Sequence, residues 1–221
     1  MSMAIQDGSA VMFVNGISSM HKALEDGGYT DQPDPHVMVA FFSIFGTVGR
    51  LTWGIISDFF PSNRAAVLLI TMVGMLCSHA LLAILPEQLF FASITIGFFF
   101  GGMFALAPII IGDLFGHVHF GTNWGLVSLA PASGSLIFGF LYGKNYDNHV
   151  DFENECRRCK QGVECFRDIF TVTSVFLILA CVSNSWLALR IGKGSSTSHE
   201  ISFDRRKPEK QQVYFLKQTY V

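Results

Sequence analysis

The 221-residue sequence predicts an all-α integral membrane protein. Three observations carry that prediction. Five apolar runs, at about 36–58, 65–85, 89–112, 122–143 and 169–191, match the roughly 20 residues that a helix needs to cross a bilayer core. Half of the residues are hydrophobic and only 14% are charged, and the charges collect between the runs and near the C-terminus. The runs are apolar on all sides and rich in Gly and Phe. They lack the period-two alternation of a membrane β-barrel.

Composition also removes several functions. A net charge of −2 gives no electrostatic footprint for nucleic acid. Met1 is followed by Asp7 rather than by a basic stretch, with no small-residue cleavage site, so the spans themselves direct insertion. No Ser/His/Asp set, Gly-rich phosphate loop or firm metal-ligand set is present. The sequence therefore implies neither an enzyme nor an ATP-driven pump, and no cofactor. Its implied partners are the lipid bilayer and a small-molecule solute.

Residues 1–24 hold Gln6, Asp7, Asn15, Gly16, Ser18, Ser19 and His21 among apolar residues. This segment reads as the remnant of a broken transmembrane helix; a short soluble leader is the alternative. Gly27, Gly28, Pro33 and Pro35 then form a loop. The membrane domain covers 25–192 and carries the five spans. Pro61-Ser62-Asn63, Pro86-Glu87 and His117-Val118-His119 are short links, so the helices they join are antiparallel neighbours. Asp58 and Asp113 then end their spans at one membrane face, and the cysteine-bearing loop 144–168 lies at the other. Residues 193–221 read as a disordered polar tail with a basic stretch at Arg205-Arg206-Lys207. The positive-inside rule places that tail in the cytoplasm, in the plasma membrane or an organelle membrane.

The strongest local pattern is Gly49-Arg50-Leu51-Thr52-Trp53-Gly54-Ile55-Ile56-Ser57-Asp58, followed by a turn and Arg64. Gly54 and Asp58 are four apart and share a helix face. A small residue there admits a neighbouring helix, and the acid can meet a cation or a helix N-terminus. An ordinary turn with solvated charges is the plain alternative. Arg50 lies eight residues before Asp58, about 12 Å deeper along a helix. It faces either a solute, a structural acid or the near membrane surface. Gly97-x-x-x-Gly101-Gly102 and Pro108 suit close packing and bending within one span. His79 reads as a packed histidine bonded to nearby backbone, with a proton relay as the alternative.

Gly54-x-x-x-Asp58 with Arg64 after the turn resembles the loop signature of the major facilitator superfamily. Gly112-Asp113-Leu114-Phe115-Gly116, Phe120-Gly121-Thr122-Asn123-Trp124-Gly125, Pro131-x-x-Gly134-Ser135 and Tyr142-Gly143-x-x-Tyr146-Asp147 are similar to its nodulin-like branch. Cys159-x-x-Gly162-x-x-Cys165-Phe166 resembles that branch's outer loop. The resemblance covers about residues 5–192. It implies five complete transmembrane helices plus a truncated one, half of a twelve-helix fold and its C-terminal half. It further implies secondary transport by alternating access, with a gating cluster of Gly54, Asp58, Arg64 and Asp113. Phe59 stands where the signature carries a basic residue. Arg50 sits four before Gly54, where monocarboxylate transporters of the superfamily carry an Arg facing substrate. Gly46 stands where they carry an acid, so their proton-coupled mechanism is not implied. A half-carrier needs its missing N-terminal half or a second copy. The rival reading is a non-transporting membrane subunit, a regulatory half-transporter or an incomplete gene product.

Cys156, Cys159 and Cys165 with His149 could hold a metal or stay free thiols. On an outer face a disulfide is favoured, and Cys159–Cys165 is the pair expected.

Overall fold

The structure is a computed structural model, and it describes residues 2–29, 32–116, 118–148 and 164–198. All regular structure among these residues is helical: α1 (Ser2–Asp26), α2 (Pro35–Phe59), α3 (Arg64–Ile84), α4 (Leu89–Phe115), α5 (Phe120–Asn148) and α6 (Glu164–Ser198). Single 3₁₀ turns, Pro61–Asn63 and Pro86–Gln88, join α2 to α3 and α3 to α4. Two compact units are present, Met1–Ala188 and Leu189–Val221. The first holds the membrane bundle. The second begins with the last ten residues of α6, and its residues from 199 onward lie outside the described set.

Five of the helices are long and apolar enough to cross a membrane. They are α2 to α6, as the apolar runs predict. α1 is as long as α2, at 25 residues, but is less apolar. α1 runs as one helix, for it contains no proline and its Gly8 and Gly16 lie against α5. α6 also continues through Lys193–Ser198, where the polar tail is expected to begin; no proline blocks the backbone ladder there.

Helix ends follow local chemistry. Pro35 opens α2 at a position where no amide is needed. Pro61 cannot continue α2, and Phe60 before it leaves helical geometry, as residues before proline do. Gly116 ends α4 at a φ of +72°, a conformation suited to glycine, and its N–H donates to the Gly112 carbonyl at 2.9 Å.

Within lipid, helices gain little from hiding apolar surface, so close packing must hold them. α2 and α4 meet backbone on backbone. A Cβ on Gly49 would strike the Phe98 carbonyl, one on Gly97 the Phe42 carbonyl, and one on Gly101 the Gly46 carbonyl. α1 and α5 meet in the same way at Gly8 and Gly134. α6 supplies Phe166, Phe170, Leu177 and Ala180 to the main core, where Phe170 stacks edge-on to Phe13 and lies 5.7 Å from the His79 ring. A second cluster gathers Met3, Trp53, Val67, Leu68, Met103, Leu106 and Ala107. The outer surface of α5 and α6 exposes Leu126, Leu129, Leu136, Phe140, Val175, Leu179 and Val182. In water such a surface would drive aggregation; in lipid it is the required one.

Gly101→Val should force α2 and α4 apart and destabilise the chain by about 1–3 kcal/mol, as overpacking does. Gly54→Ala, whose added Cβ meets nothing within 4 Å, should change stability by less than about 0.5 kcal/mol. Unfolding of both variants in lipid nanodiscs measures the contrast, and equal behaviour would refute the contact.

Candidate functional site

The short turn after α2 puts the start of α3 beside the end of α2. The antiparallel run of α4 returns its C-terminus to the same end of the bundle. Three sequence-predicted charges therefore gather there. Arg64 opens α3, Asp58 lies in the last turn of α2, and Asp113 lies in the last turn of α4. Each stands at the end of its helix that opposes its own charge. A cation is disfavoured at a helix N-terminus and an acid at a C-terminus, by about 0.3–1 kcal/mol each. Such placement does not serve the stability of the individual helices. It is relieved only when the charges find each other.

Arg64 and Asp113 do so: Arg64 Nη1 donates to Asp113 Oδ2 in a direct ion pair. The Arg64 side chain is 20% exposed and Asp113 51%, so water screens one side of the pair. Arg64 Nε is buried with no hydrogen-bond partner among the described residues. Beside the pair lies a cavity of about 370 Å³ lined by Arg64, Pro108, Ile109, Gly112, Asp113 and Phe120. Asp58 is exposed and joins no ion pair among the described residues. Gly54, one turn above it, faces open space rather than a packed helix. The close approach expected there is absent, because α2 turns its glycines Gly46 and Gly49 toward α4 and Gly54 away from it.

Arg50 lies on α2 beside α4, with Cζ 5.4 Å from the centre of the Phe104 ring. It is exposed and has no acidic partner among the described residues. A cation over a ring face gains about 0.5–1 kcal/mol at an exposed site, far less than a carboxylate would give. No structural ion pair for Arg50 is formed among the described residues. Gly46, one turn before Arg50, is buried against α4, where an added Cβ would lie 3.5 Å from the Gly97 carbonyl, in ordinary contact. Phe104 carries no motif of its own, and only its register on α4 brings it to Arg50.

His79 is fully buried; its Nδ1 lies 3.1 Å from the Met75 carbonyl, and its ring also approaches the Ser9 backbone of α1. Cys156 and Cys159 lie outside the described residues, as does the side chain of Cys165. Among the described residues no group of three His, Cys, Asp or Glu side chains could hold a metal ion.

Residues 8–217 match the family described as Major Facilitator Superfamily. The chain belongs to the major facilitator superfamily. Among curated relatives, it is 32% identical over 155 residues to "Probable transporter MCH1" of Wickerhamomyces anomalus, covering 66% of this chain and 30% of that protein. The namesake from Yarrowia lipolytica is 30% identical, covering 69% of this chain and 34% of the relative. That from Candida albicans is 26% identical over 82% of this chain and 36% of the relative. The chain thus spans about a third of the length of the curated relatives it matches. No solved structure matches it. The relatives that match are named probable transporters.

A double-mutant cycle on Arg64→Gln and Asp113→Asn should return a coupling of about 1 kcal/mol or less, falling with added salt, as for a half-exposed pair. Unfolding midpoints of the four species in nanodiscs measure it. A coupling several-fold larger would mean that the pair is sealed from water.

Proposed function

We propose that this chain is the C-terminal half of a twelve-helix secondary transporter of the nodulin-like branch, and that it moves a small organic anion by alternating access. Arg50 carries the reading. A guanidinium inside the hydrocarbon zone costs roughly 2.5–3.5 kcal/mol on insertion scales and normally faces a partner or a cavity. Here it is exposed and unpaired by any acid among the described residues. An anionic solute supplies the missing carboxylate, which the planar guanidinium can hold by two parallel hydrogen bonds.

Uncovered surface supports a second half. The apolar stretch of α5 is only 11% buried and that of α2 22%, against 44% for α3 and α4. Gly54 on α2 and Gly121, Gly125, Gly139 and Gly143 on α5 meet no neighbour within 4 Å. These are the faces that a missing N-terminal half, or a second copy, covers. In that assembly Gly54, Asp58, Arg64 and Asp113 form the gate at one end. Asp58 finds its partner on the other half, and closure brings that half against Gly54. The gate faces the cytoplasm, on the side of the basic tail, and the Cys159–Cys165 disulfide lies in the outer loop.

The test is uptake of radiolabelled small carboxylates by cells expressing the full-length carrier. Arg50→Ala should abolish uptake at unchanged membrane abundance. Arg50→Lys should recover only part of it, because the charge remains but the two-pronged contact is lost. Unchanged uptake in Arg50→Ala removes the residue from the solute site. For the outer loop, mass spectrometry of non-reduced peptides should find Cys159 linked to Cys165; free thiols at both positions would exclude the bond.

A further inference from the structure

The most anomalous group in the bundle is Asp7 on α1. Its side chain is fully buried, and neither carboxylate oxygen has a hydrogen-bond partner among the described residues. It lies deep in the bundle. Its neighbour Gly8 rests against the Gly134 backbone, near the middle of the 29-residue α5. One turn before Asp7, Met3 packs in the cluster of Trp53 from α2 and Met103 from α4. A carboxylate held charged in such a place, without a partner, costs many kcal/mol, and buried acids of this kind take up a proton instead.

Neighbouring elements offer no relief. On α3, His79 is turned to the Ser9 backbone, and Ser9 lies two residues from Asp7, on another side of α1. On α2, Arg50 sits over the Phe104 ring of α4. On α5, Tyr142 lies against Gly16, more than two turns further along α1. On α6, Phe166, Ile169, Phe170, Leu177 and Ala180 enter the core, and the buried polar groups are Thr173, which donates to the Phe170 carbonyl of its own helix, and Asn184. On α1 itself, His21 pairs with Glu25 at 3.6 Å, and Gln6 donates to the Phe99 carbonyl at 3.4 Å. No charged or hydrogen-bonding side chain among the described residues acts on Asp7.

The helix also provides a route to it. At 3.6 residues per turn, positions 7, 11, 15, 18 and 22 share a face of α1. Most of α1 is buried, yet along this face burial falls steadily: Asp7 is buried, Val11 half-buried, and Asn15, Ser18 and Lys22 exposed. Three polar side chains thus lead from the open surface toward Asp7, with Val11 as the last residue before it.

We propose that Asp7 is a proton-binding site at the inner end of this polar stripe, neutral in the packed conformation and ionised when α1 moves to admit water. The Asp7 carboxyl then gives its proton to water and is left as the carboxylate; repacking requires a proton to return. Raising the pH therefore disfavours the packed conformation, and lowering it restores that conformation.

The test uses the full chain in lipid bilayers with carbon-13 labelled aspartate. At neutral pH one aspartate carboxyl should show the chemical shift of a protonated acid, and Asp7→Asn should remove that signal. Ionised signals for every aspartate would overturn the proposal without needing any variant. Thermal stability from mildly acidic to mildly alkaline pH is the second readout. The native chain should lose stability as pH rises, whereas Asp7→Asn, which is permanently neutral, should lose that dependence. An identical pH profile in both would also overturn it. Neither readout involves solute, so failure of the Arg50 uptake test leaves this result standing, and failure here leaves the anion reading standing.

Discussion

The backbone-on-backbone contact of α2 with α4 governs the rest of the bundle. Gly49 on one helix and Gly97 and Gly101 on the other let backbone touch backbone where any side chain would intervene, with Gly101 against the Gly46 carbonyl. Lipid provides no solvent-driven reason for helices to associate, so this closeness supplies the attraction through dense van der Waals contact. It also fixes register. With Gly101 seated against Gly46, Arg50 must lie beside Phe104, and Trp53 must enter the cluster with Met103 and Leu106. The same contact turns Gly54 and Asp58 away from α4, toward the open side of α2.

The end of the bundle has a different logic. Arg64 and Asp113 stand against the dipoles of their own helices, and Asp58 does the same on α2. Arg64 and Asp113 relieve each other, and the pair is too exposed to serve as a strong brace. Weak, water-facing pairs of this kind can break and reform at small cost, which suits a gate. Asp58 remains unmatched among the described residues. Together with the uncovered faces of α2 and α5, it lies where the proposed second half would close the barrier.

Arg50 and Asp7 show two ways in which a membrane helix carries an ionisable group. Arg50 stays exposed and rests its charge on an aromatic face. Asp7 is sealed among packed helices without a partner among the described residues, and taking up a proton is the chemistry open to it there. Neither arrangement strengthens the bundle. Both therefore point to what the helices do rather than to how they are held together.

The sequence by itself determined the helical class, the five spans and, for α2 to α4, their ends within about three residues. Bilayer thickness and the backbone's need for internal hydrogen bonds leave little freedom, and Pro35, Pro61 and Gly116 punctuate the chain locally. It also brought Asp58, Arg64 and Asp113 to one end, because short links force antiparallel neighbours. Small-residue spacing marked Gly97 and Gly101 as packing positions. Only the tertiary structure decided which glycines were filled and which were left open, that α1 runs unbroken through Gly8 and Gly16, and that Arg50 meets a ring instead of an acid. It alone showed Asp7 to be sealed without a partner. Those outcomes depend on the rotation of each helix about its axis. That rotation is set by contacts between distant residues, and in spans apolar on every side no hydrophobic periodicity reports it.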